Sequence, residues 1–413
     1  MLYSHQIEII EQDPTKCGLW LGTGSGKTLI ALSLARGKTL VIAPKTQKED
    51  KNWEREVAKN KLKIDLTVIS KETFRRDHLK LPSFNTVIID EAHLCLGVTP
   101  NTRQRKRVTI PRASQLFEAV QTYLQIHNPS RLYLCTATII RSPMTVWAAG
   151  KLLGRNWNFY DFRHAFYTRL PIPGREIYVP RKDGATKDRL AGLVKGLGFV
   201  GRLEDYFDVP AQVYKTVYLN LTAEQKARLK NINQEFPEQI VRVGKRHQIE
   251  NGILSGDEFN EPETFKNEKL DAILDLAIEF PKMIIFAKYI AQIEALHKAL
   301  AMAGKKVLKL TGNTPDRGEV IAEAEASEEC IFLAQAQISA GWELPSFPVV
   351  VFSSMSYSIV DRIQGEGRVL RANSLKKNLY ITLVVRGGVD EAVFKCINEK
   401  KDFSERLYEE PGS

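Results

Sequence analysis

Residues Leu21-Gly22-Thr23-Gly24-Ser25-Gly26-Lys27-Thr28 constrain the fold more than any other stretch of the chain. Three glycines alternate with small residues, and Lys-Thr follows. Glycine at 22, 24 and 26 lets the backbone turn tightly, so that its N–H groups, with those of Thr23 and Ser25, approach phosphate oxygens closely. Lys27 has the reach for the β- and γ-phosphates, and the Thr28 hydroxyl suits Mg²⁺. The apolar stub Leu19-Trp20-Leu21 precedes the loop, and residues 29–35 follow with helix-like composition. Strand, loop and helix N-terminus in that order make an anion site from backbone donors and the helix dipole.

The same grammar recurs along the chain. Short β-rich runs at Thr39-Leu40-Val41-Ile42-Ala43, Leu66-Thr67-Val68-Ile69, Thr86-Val87-Ile88-Ile89-Asp90 and Arg131-Leu132-Tyr133-Leu134-Cys135 are separated by helix-length segments. This predicts a parallel sheet with helices on both faces. A second series at 283–286, 307–310, 330–333, 349–352 and 379–384 predicts another. Weaker periodicity, with more Pro, Gly and aromatic residues, marks a connecting or accessory region. The expected fold class is α/β, with one lobe over 1–154, the connecting region over 155–210 and a second lobe over 211–413.

Net charge +10 and a pI near 9.2 favour a polyanionic partner, nucleic acid before membrane. No apolar run approaches the ~18 residues of a membrane span, and residues 1–11 lack a charged-then-apolar signal pattern. Cys17, Cys95, Cys135, Cys330 and Cys396 are odd in number and widely spaced. They fit reduced, mostly buried thiols of a cytoplasmic protein, not a zinc site or a disulfide frame. Trp53, Trp147, Trp157 and Trp342 read as core residues.

Asp90-Glu91-Ala92-His93 closes the apolar run 87–89. Ligands of parallel α/β sheets bind beyond the carboxyl ends of strands, so both carboxylates are expected to face the phosphates. Asp90 is assigned to Mg²⁺, through water, and Glu91 to accepting a proton from the attacking water. Far downstream, Gln364 stands four residues before Arg368, and Arg371 three after it. On a helix those three share one face, and two guanidiniums aimed at ATP would stabilise charge developing on the γ-phosphate.

The ordered set resembles a superfamily 2 helicase or translocase with a DEAH-type second motif. Tyr3-Ser4-His5-Gln6 resembles the adenine-reading segment of that family, with Gln6 as the base contact. Ala43-Pro44-Lys45-Thr46 resembles motif Ia, and Thr136-Ala137-Thr138 resembles motif III. Gln337-Ile338-Ser339-Ala340-Gly341-Trp342-Glu343 is similar to motif V, and Gln364-Gly365-Glu366-Gly367-Arg368-Val369-Leu370-Arg371 resembles motif VI. Asn52-Trp53-Glu54-Arg55-Glu56, Ser70-Lys71-Glu72-Thr73-Phe74 and Lys269-Leu270-Asp271 look like the Swi/Snf-type group, in a compact viral or bacterial form.

The resemblance implies two RecA-like lobes in tandem, with ATP and Mg²⁺ in the cleft between them. It places Lys45, Thr46, Thr311, Gln337 and Ser339 on a nucleic-acid track, and makes Thr136 and Thr138 the residues that couple nucleotide state to lobe closure. The stretch Thr99-Pro100-Asn101-Thr102-Arg103-Gln104-Arg105-Lys106-Arg107, ended by Pro111-Arg112, reads as an exposed loop. Arg103, Arg105, Lys106 and Arg107 are expected to meet nucleic acid there, at a duplex or junction. The implied activity is ATP-driven movement on single-stranded, duplex or branched DNA, in recombination, repair or replication. An RNA-stimulated helicase and the motor subunit of a restriction or nuclease complex are the alternatives.

Overall fold

The computed structural model describes residues 2–105, 108–137, 142–172, 175–207, 211–256, 262–338, 342–370 and 377–399. The chain divides into two compact units, Met1–Asp208 and Val209–Ser413.

In the first unit, β1 (Lys16–Leu21), β2 (Lys38–Ala43), β3 (Asp65–Ser70) and β4 (Thr86–Ile89) are sheet strands. They are followed by a hairpin, β5 (Val98–Arg105) and β6 (Val108–Ala113), then β7 (Arg131–Cys135). A second hairpin, β8 (Tyr167–Ile172) and β9 (Arg175–Pro180), precedes β10 (Gly198–Gly201). Helices α1 (Ser4–Glu11), α2 (Lys27–Leu34), α3 (Lys45–Glu49), α4 (Asn52–Lys59) and α5 (Lys71–Asp77) lie in the first half. Helices α6 (Gln115–His127), α7 (Pro143–Leu152), α8 (Phe159–Phe166) and α9 (Gly184–Leu197) complete the unit.

The sheet order is β10-β1-β7-β4-β2-β3, and every pairing in it is parallel. Leu40 and Ile42 pack with Trp20, Ile89 and Leu134 on one face, while Val41 and Ala43 pack with Leu19, Ile88 and Tyr133 on the other. This alternation is the period of two of a strand buried on both sides. Because β7 lies between β1 and β4, the carboxyl ends that carry the glycine loop, Thr136 and Asp90 are neighbours along one sheet edge.

Residues 155–207 do not stand apart from this sheet as a connector. Gly198 pairs with Gly18, so β10 becomes the edge strand beside β1. A Cβ on Gly198 would sit 2.0 Å from the Gly18 carbonyl oxygen, which explains glycine at that close approach. Leu190, Val194 and Leu197 of α9 join the same apolar core as α6 and α7. The basic stretch 98–113 is likewise a hairpin, not the loop expected from its prolines. Thr102 pairs with Pro111 and Arg103 with Ile110.

The second unit repeats the plan. Its strands are β11 (Val213–Leu219), the short pair β12 (Ile253–Leu254) and β13 (Glu263–Thr264), β14 (Lys282–Ala287), β15 (Val307–Leu310), β16 (Cys330–Gln335), β17 (Val349–Phe352) and β18 (Leu379–Val385). The main sheet runs β11-β18-β17-β14-β16-β15, again parallel throughout. Its helices are α10 (Ala223–Leu229), α11 (Ile232–Glu235), α12 (Gln239–Glu250), α13 (Glu268–Glu279), α14 (Ile290–Met302), α15 (Arg317–Ala326), α16 (Ile359–Glu366) and α17 (Val389–Asn398). All five cysteines are buried. Among the described residues, no helix is long and apolar enough to cross a membrane.

Candidate nucleotide and nucleic-acid sites

The glycine loop leaves β1 at its carboxyl end and enters α2 at Lys27. Gly24 and Gly26 have left-handed backbone, with φ of 78° and 80°. At Gly26 a Cβ would also lie 2.0 Å from Gln6 Nε2, so glycine is demanded by both torsion and contact. Ser25 Oγ donates to the Gly22 carbonyl at 2.7 Å. Lys27 Nζ donates to the carbonyls of Leu21 at 2.8 Å and Gly22 at 2.9 Å, which tethers the ammonium to the loop. Ser25 is buried, whereas Gly22, Thr23, Gly24, Lys27 and Thr28 are half-buried.

Helix α1 braces the loop from the other side. Gln6 Nε2 donates to the Ser25 carbonyl at 3.3 Å, and its Oε1 accepts from the Tyr3 N–H at 2.9 Å. His5 Nε2 lies 3.0 Å from the same Ser25 carbonyl. A carbonyl only accepts, so Nε2 carries the proton; the buried Nδ1 has no partner among the described residues. The His5 ring stacks on Tyr206 at 4.0 Å, with Phe207 edge-on at 5.5 Å. Sequence reasoning named Gln6 and passed over His5, and no local signal marks Tyr206 or Phe207 as its neighbours.

Asp90 and Glu91 follow β4. Asp90 Oδ1 accepts from the Glu91 N–H at 2.9 Å, and Oδ2 accepts from Trp53 Nε1 at 3.4 Å. Burial pushes the Asp90 carboxyl up; the charges of Lys71 and Lys27 and the Glu91 N–H work against that rise. Glu91 adopts a left-handed backbone, φ 43° and ψ 54°, which costs a non-glycine residue about 1 kcal/mol or more. Lys71, 5% exposed, donates from Nζ to the Glu91 carbonyl at 2.8 Å and so holds that turn in place. His93 Nδ1 sits 3.3 Å from Glu91 Oε2 and 2.8 Å from Thr136 Oγ1. The acidic motif and Thr136 are thereby linked through one buried imidazole. Sequence assigns no role to Lys71 and His93 and only a place in the core to Trp53, although all three lie in motifs that carry the resemblance.

In the second unit, Gln364 is buried in α16, but the helix ends at Glu366 and Gly367 caps it. Arg368 therefore does not continue the helical face expected for Gln364, Arg368 and Arg371. Its Nε instead turns back to the Gln364 carbonyl at 2.7 Å, and Nη1 donates to the Trp342 carbonyl at 2.5 Å. Arg371 lies outside the described residues.

The expected nucleic-acid contacts fall in several places. Lys45 is exposed at the start of α3 and pairs with Glu49 at 3.5 Å, while Thr46 is half-buried. Thr311 is buried: its N–H donates to Thr314 Oγ1 at 2.8 Å, and its Oγ1 accepts from the Asn313 N–H at 3.3 Å. Gln337 is exposed after β16. Arg103 lies on β5 and pairs with Glu118, and Arg105 ends that strand. Lys106, Arg107, Thr138 and Ser339 lie outside the described residues.

A glycine loop, an acidic turn and a threonine thus lie at adjacent carboxyl ends of one parallel sheet in the first α/β unit, and a second unit of the same plan follows. Residues 266–373 of that second unit match the helicase conserved C-terminal domain. Each of the two units is an α/β body built on a six-stranded parallel sheet. The Sulfolobus solfataricus SWI2/SNF2 ATPase core in complex with dsDNA is similar over 98% of this chain and 92% of its own, at 19% identity and a TM-score of 0.40. Among curated proteins none matches the chain.

Proposed function

We propose that the chain is a nucleic-acid-dependent ATPase of helicase type, acting as a motor on DNA. The observation that carries this reading is the chain Glu91–His93–Thr136 beside the glycine loop, tied by contacts of 3.3 Å and 2.8 Å. It supplies a carboxylate for the attacking water and a path from that carboxylate to the end of the next strand. Lys27 and the loop amides bind the phosphates, and Gln6 meets the base. Arg368 and Arg371 take the role that the resemblance gives them, offsetting charge on the γ-phosphate.

Mg²⁺ takes only one or two protein ligands, with water and phosphate oxygens completing its shell. The buried Asp90 carboxylate and the half-buried Thr28 suit that need. Those two would hold the ion, which neutralises charge on the β- and γ-phosphates when bound. DNA is preferred as the track from the basic balance of the chain and the Swi/Snf-type motifs.

Steady-state ATPase tests the reading, with no polymer, single-stranded DNA, duplex, forked or four-way DNA, and RNA. Lys27→Ala serves as the blank. DNA is expected to raise turnover at least tenfold over the polymer-free rate. Greatest stimulation by forks or junctions supports a branch-directed motor, and equal stimulation by plain duplex a translocase. Stimulation by RNA alone overturns the DNA assignment, and activity no higher than the blank overturns the motor.

A further inference from the structure

The charge of this chain is concentrated. Residues 98–113 hold five Lys and Arg and no acid, and residues 167–182 hold four and one acid. Together they account for +8 of the net +10, so the other residues of the chain are close to balanced. These two stretches, far apart in sequence, are the two hairpins β5–β6 and β8–β9 of the first unit, the second with the two residues that follow it.

Arg163 on α8 joins them. It is 8% exposed, and its Nη1 donates to the Pro100 carbonyl on β5 at 3.1 Å. The same guanidinium lies over the Tyr178 ring of β9, 4.3 Å from its centroid, and 5.2 Å from that of Tyr160. A planar guanidinium can stack on a ring and donate in its own plane at once, which an ammonium cannot do. Arg163 thus holds one hairpin by its backbone and the other by an aromatic face. Around this clamp Arg112, Arg169, Arg181 and Lys182 are exposed. Arg169 is paired with Glu176 at 2.8 Å and Arg181 Nε donates to the Tyr167 carbonyl at 3.4 Å; the exposed Arg112, Arg181 and Lys182 are the side chains to test.

We propose that the two clamped hairpins form one electropositive platform that grips the phosphates of duplex nucleic acid, with Arg163 as its positioning residue. The proposal rests on the motor reading above and deepens it, because none of the helicase motifs lies in either hairpin. Phosphate contacts by Lys and Arg release counterions, so such a platform carries a salt dependence of about 0.9 in log K per phosphate neutralised. An anionic membrane would attract the same charge without needing a duplex, which makes it an outcome of the test.

Binding of a labelled duplex is measured between 50 and 200 mM salt for three forms of the full chain, a range over which about 6–10 phosphate contacts change affinity by orders of magnitude. These are the unaltered protein, the triple variant Arg112→Glu/Arg181→Glu/Lys182→Glu, and Arg163→Gln, with Arg163→Lys beside it. The triple variant is expected to lose about tenfold or more in affinity and about 2 in salt slope. Arg163→Gln keeps every surface charge, yet the duplex concentration for half-maximal ATPase should rise about fivefold at little change in saturated turnover. Arg163→Lys should recover only part of that.

An unchanged salt slope in the triple variant overturns the platform, as does an Arg163→Gln protein whose half-maximal duplex concentration matches the unaltered one. Loss of binding to phosphatidylserine vesicles alone, with duplex binding intact, also overturns it. If nucleic acid fails to stimulate the unaltered protein at all, the motor reading fails first and separately.

Discussion

His247, Glu250, Lys269 and Asp390 are each at most 1% exposed, and each is tied to another. Asp390 accepts from His247 Nε2 at 3.1 Å and pairs with Lys269 at 2.9 Å, while Glu250 accepts the N–H groups of Val389 and Asp390 at the start of α17. Burial raises the Glu250 carboxyl to about 7. Burial also lowers His247 to about 4, against the pull of Asp390. A lowered histidine adds stability that is complete above its unfolded value of 6.5 and is lost as pH falls through about 4. A raised glutamate adds stability that is complete below its unfolded value of 4.5 and is lost as pH rises through about 7. Between those unfolded values the two slopes oppose each other. Asp390, held at about 2, stays ionised there, and Lys288, held at about 7 chiefly by burial, stays largely charged. The second unit should therefore show a nearly flat urea midpoint from pH 4.5 to 6.5. Glu250→Gln should unmask a midpoint that rises with pH, and His247→Gln one that falls. Trp342, the one tryptophan of the five in this unit, reports it by fluorine NMR after fluorotryptophan labelling. Matching slopes in the two variants would contradict the opposed titrations.

At the scale of elements, the end of α16 is where a sequence pattern and a physical structure part. The last carbonyls of a helix lack intrahelical partners, and Arg368 satisfies that of Gln364 while reaching the Trp342 carbonyl. Arg368→Ala should destabilise the second unit by about 2 kcal/mol, from two carbonyls left short of a donor, lowering its melting transition by about 5 °C. A variant that loses ATPase with the transition unmoved would confine Arg368 to catalysis. Gly367 was the legible signal for this helix end, since glycine marks helix C-termini, and the i, i+4 spacing of two motif residues drew the reading past it. Sheet strands fared better, because fully buried parallel strands appear as continuous apolar runs such as Leu40-Val41-Ile42-Ala43. Strand β10 escaped because it has four residues, of which Gly198 and Gly201 are glycine. The hairpin β5–β6 escaped because Pro100 and Pro111 lie inside its strands, where proline usually argues against a strand. The glycine loop and acidic motif were legible as local patterns. Lys71 on the Glu91 carbonyl and Trp53 on Asp90 depend on chain segments 20 and 37 residues apart.

For the whole molecule, the partition of apolar residues decides how it should melt. Trp20, Phe74, Tyr123 and Leu132 belong to one core of the first unit, and Leu19, Trp53, Ile88 and Tyr133 to the other. Phe286, Phe332, Trp342 and Tyr380 fill one core of the second unit, Ile285, Leu333 and Val351 another, and Ile232, Ile249, Leu254 and Phe265 a smaller third. Each unit is of a size that supports its own cooperative transition, of about 140 kcal/mol at a specific enthalpy near 0.7 kcal/mol per residue. Calorimetry should accordingly resolve two transitions, assigned by the fluorine signals of Trp20, Trp53, Trp147 and Trp157 against that of Trp342. Mg²⁺ with a non-hydrolysable ATP analogue at a hundred times its Kd should stabilise what it binds by about 2.7 kcal/mol. For a unit of this size that is an upward shift of about 5–10 °C. The glycine loop, Asp90 and Gln6 are all in the first unit, so its transition is the one that must move. Lys27→Ala should abolish the shift while leaving both transitions in place without nucleotide. A single transition carrying the enthalpy of the entire chain would overturn the independence of the units, and a shift that survives Lys27→Ala would remove the nucleotide from the glycine loop.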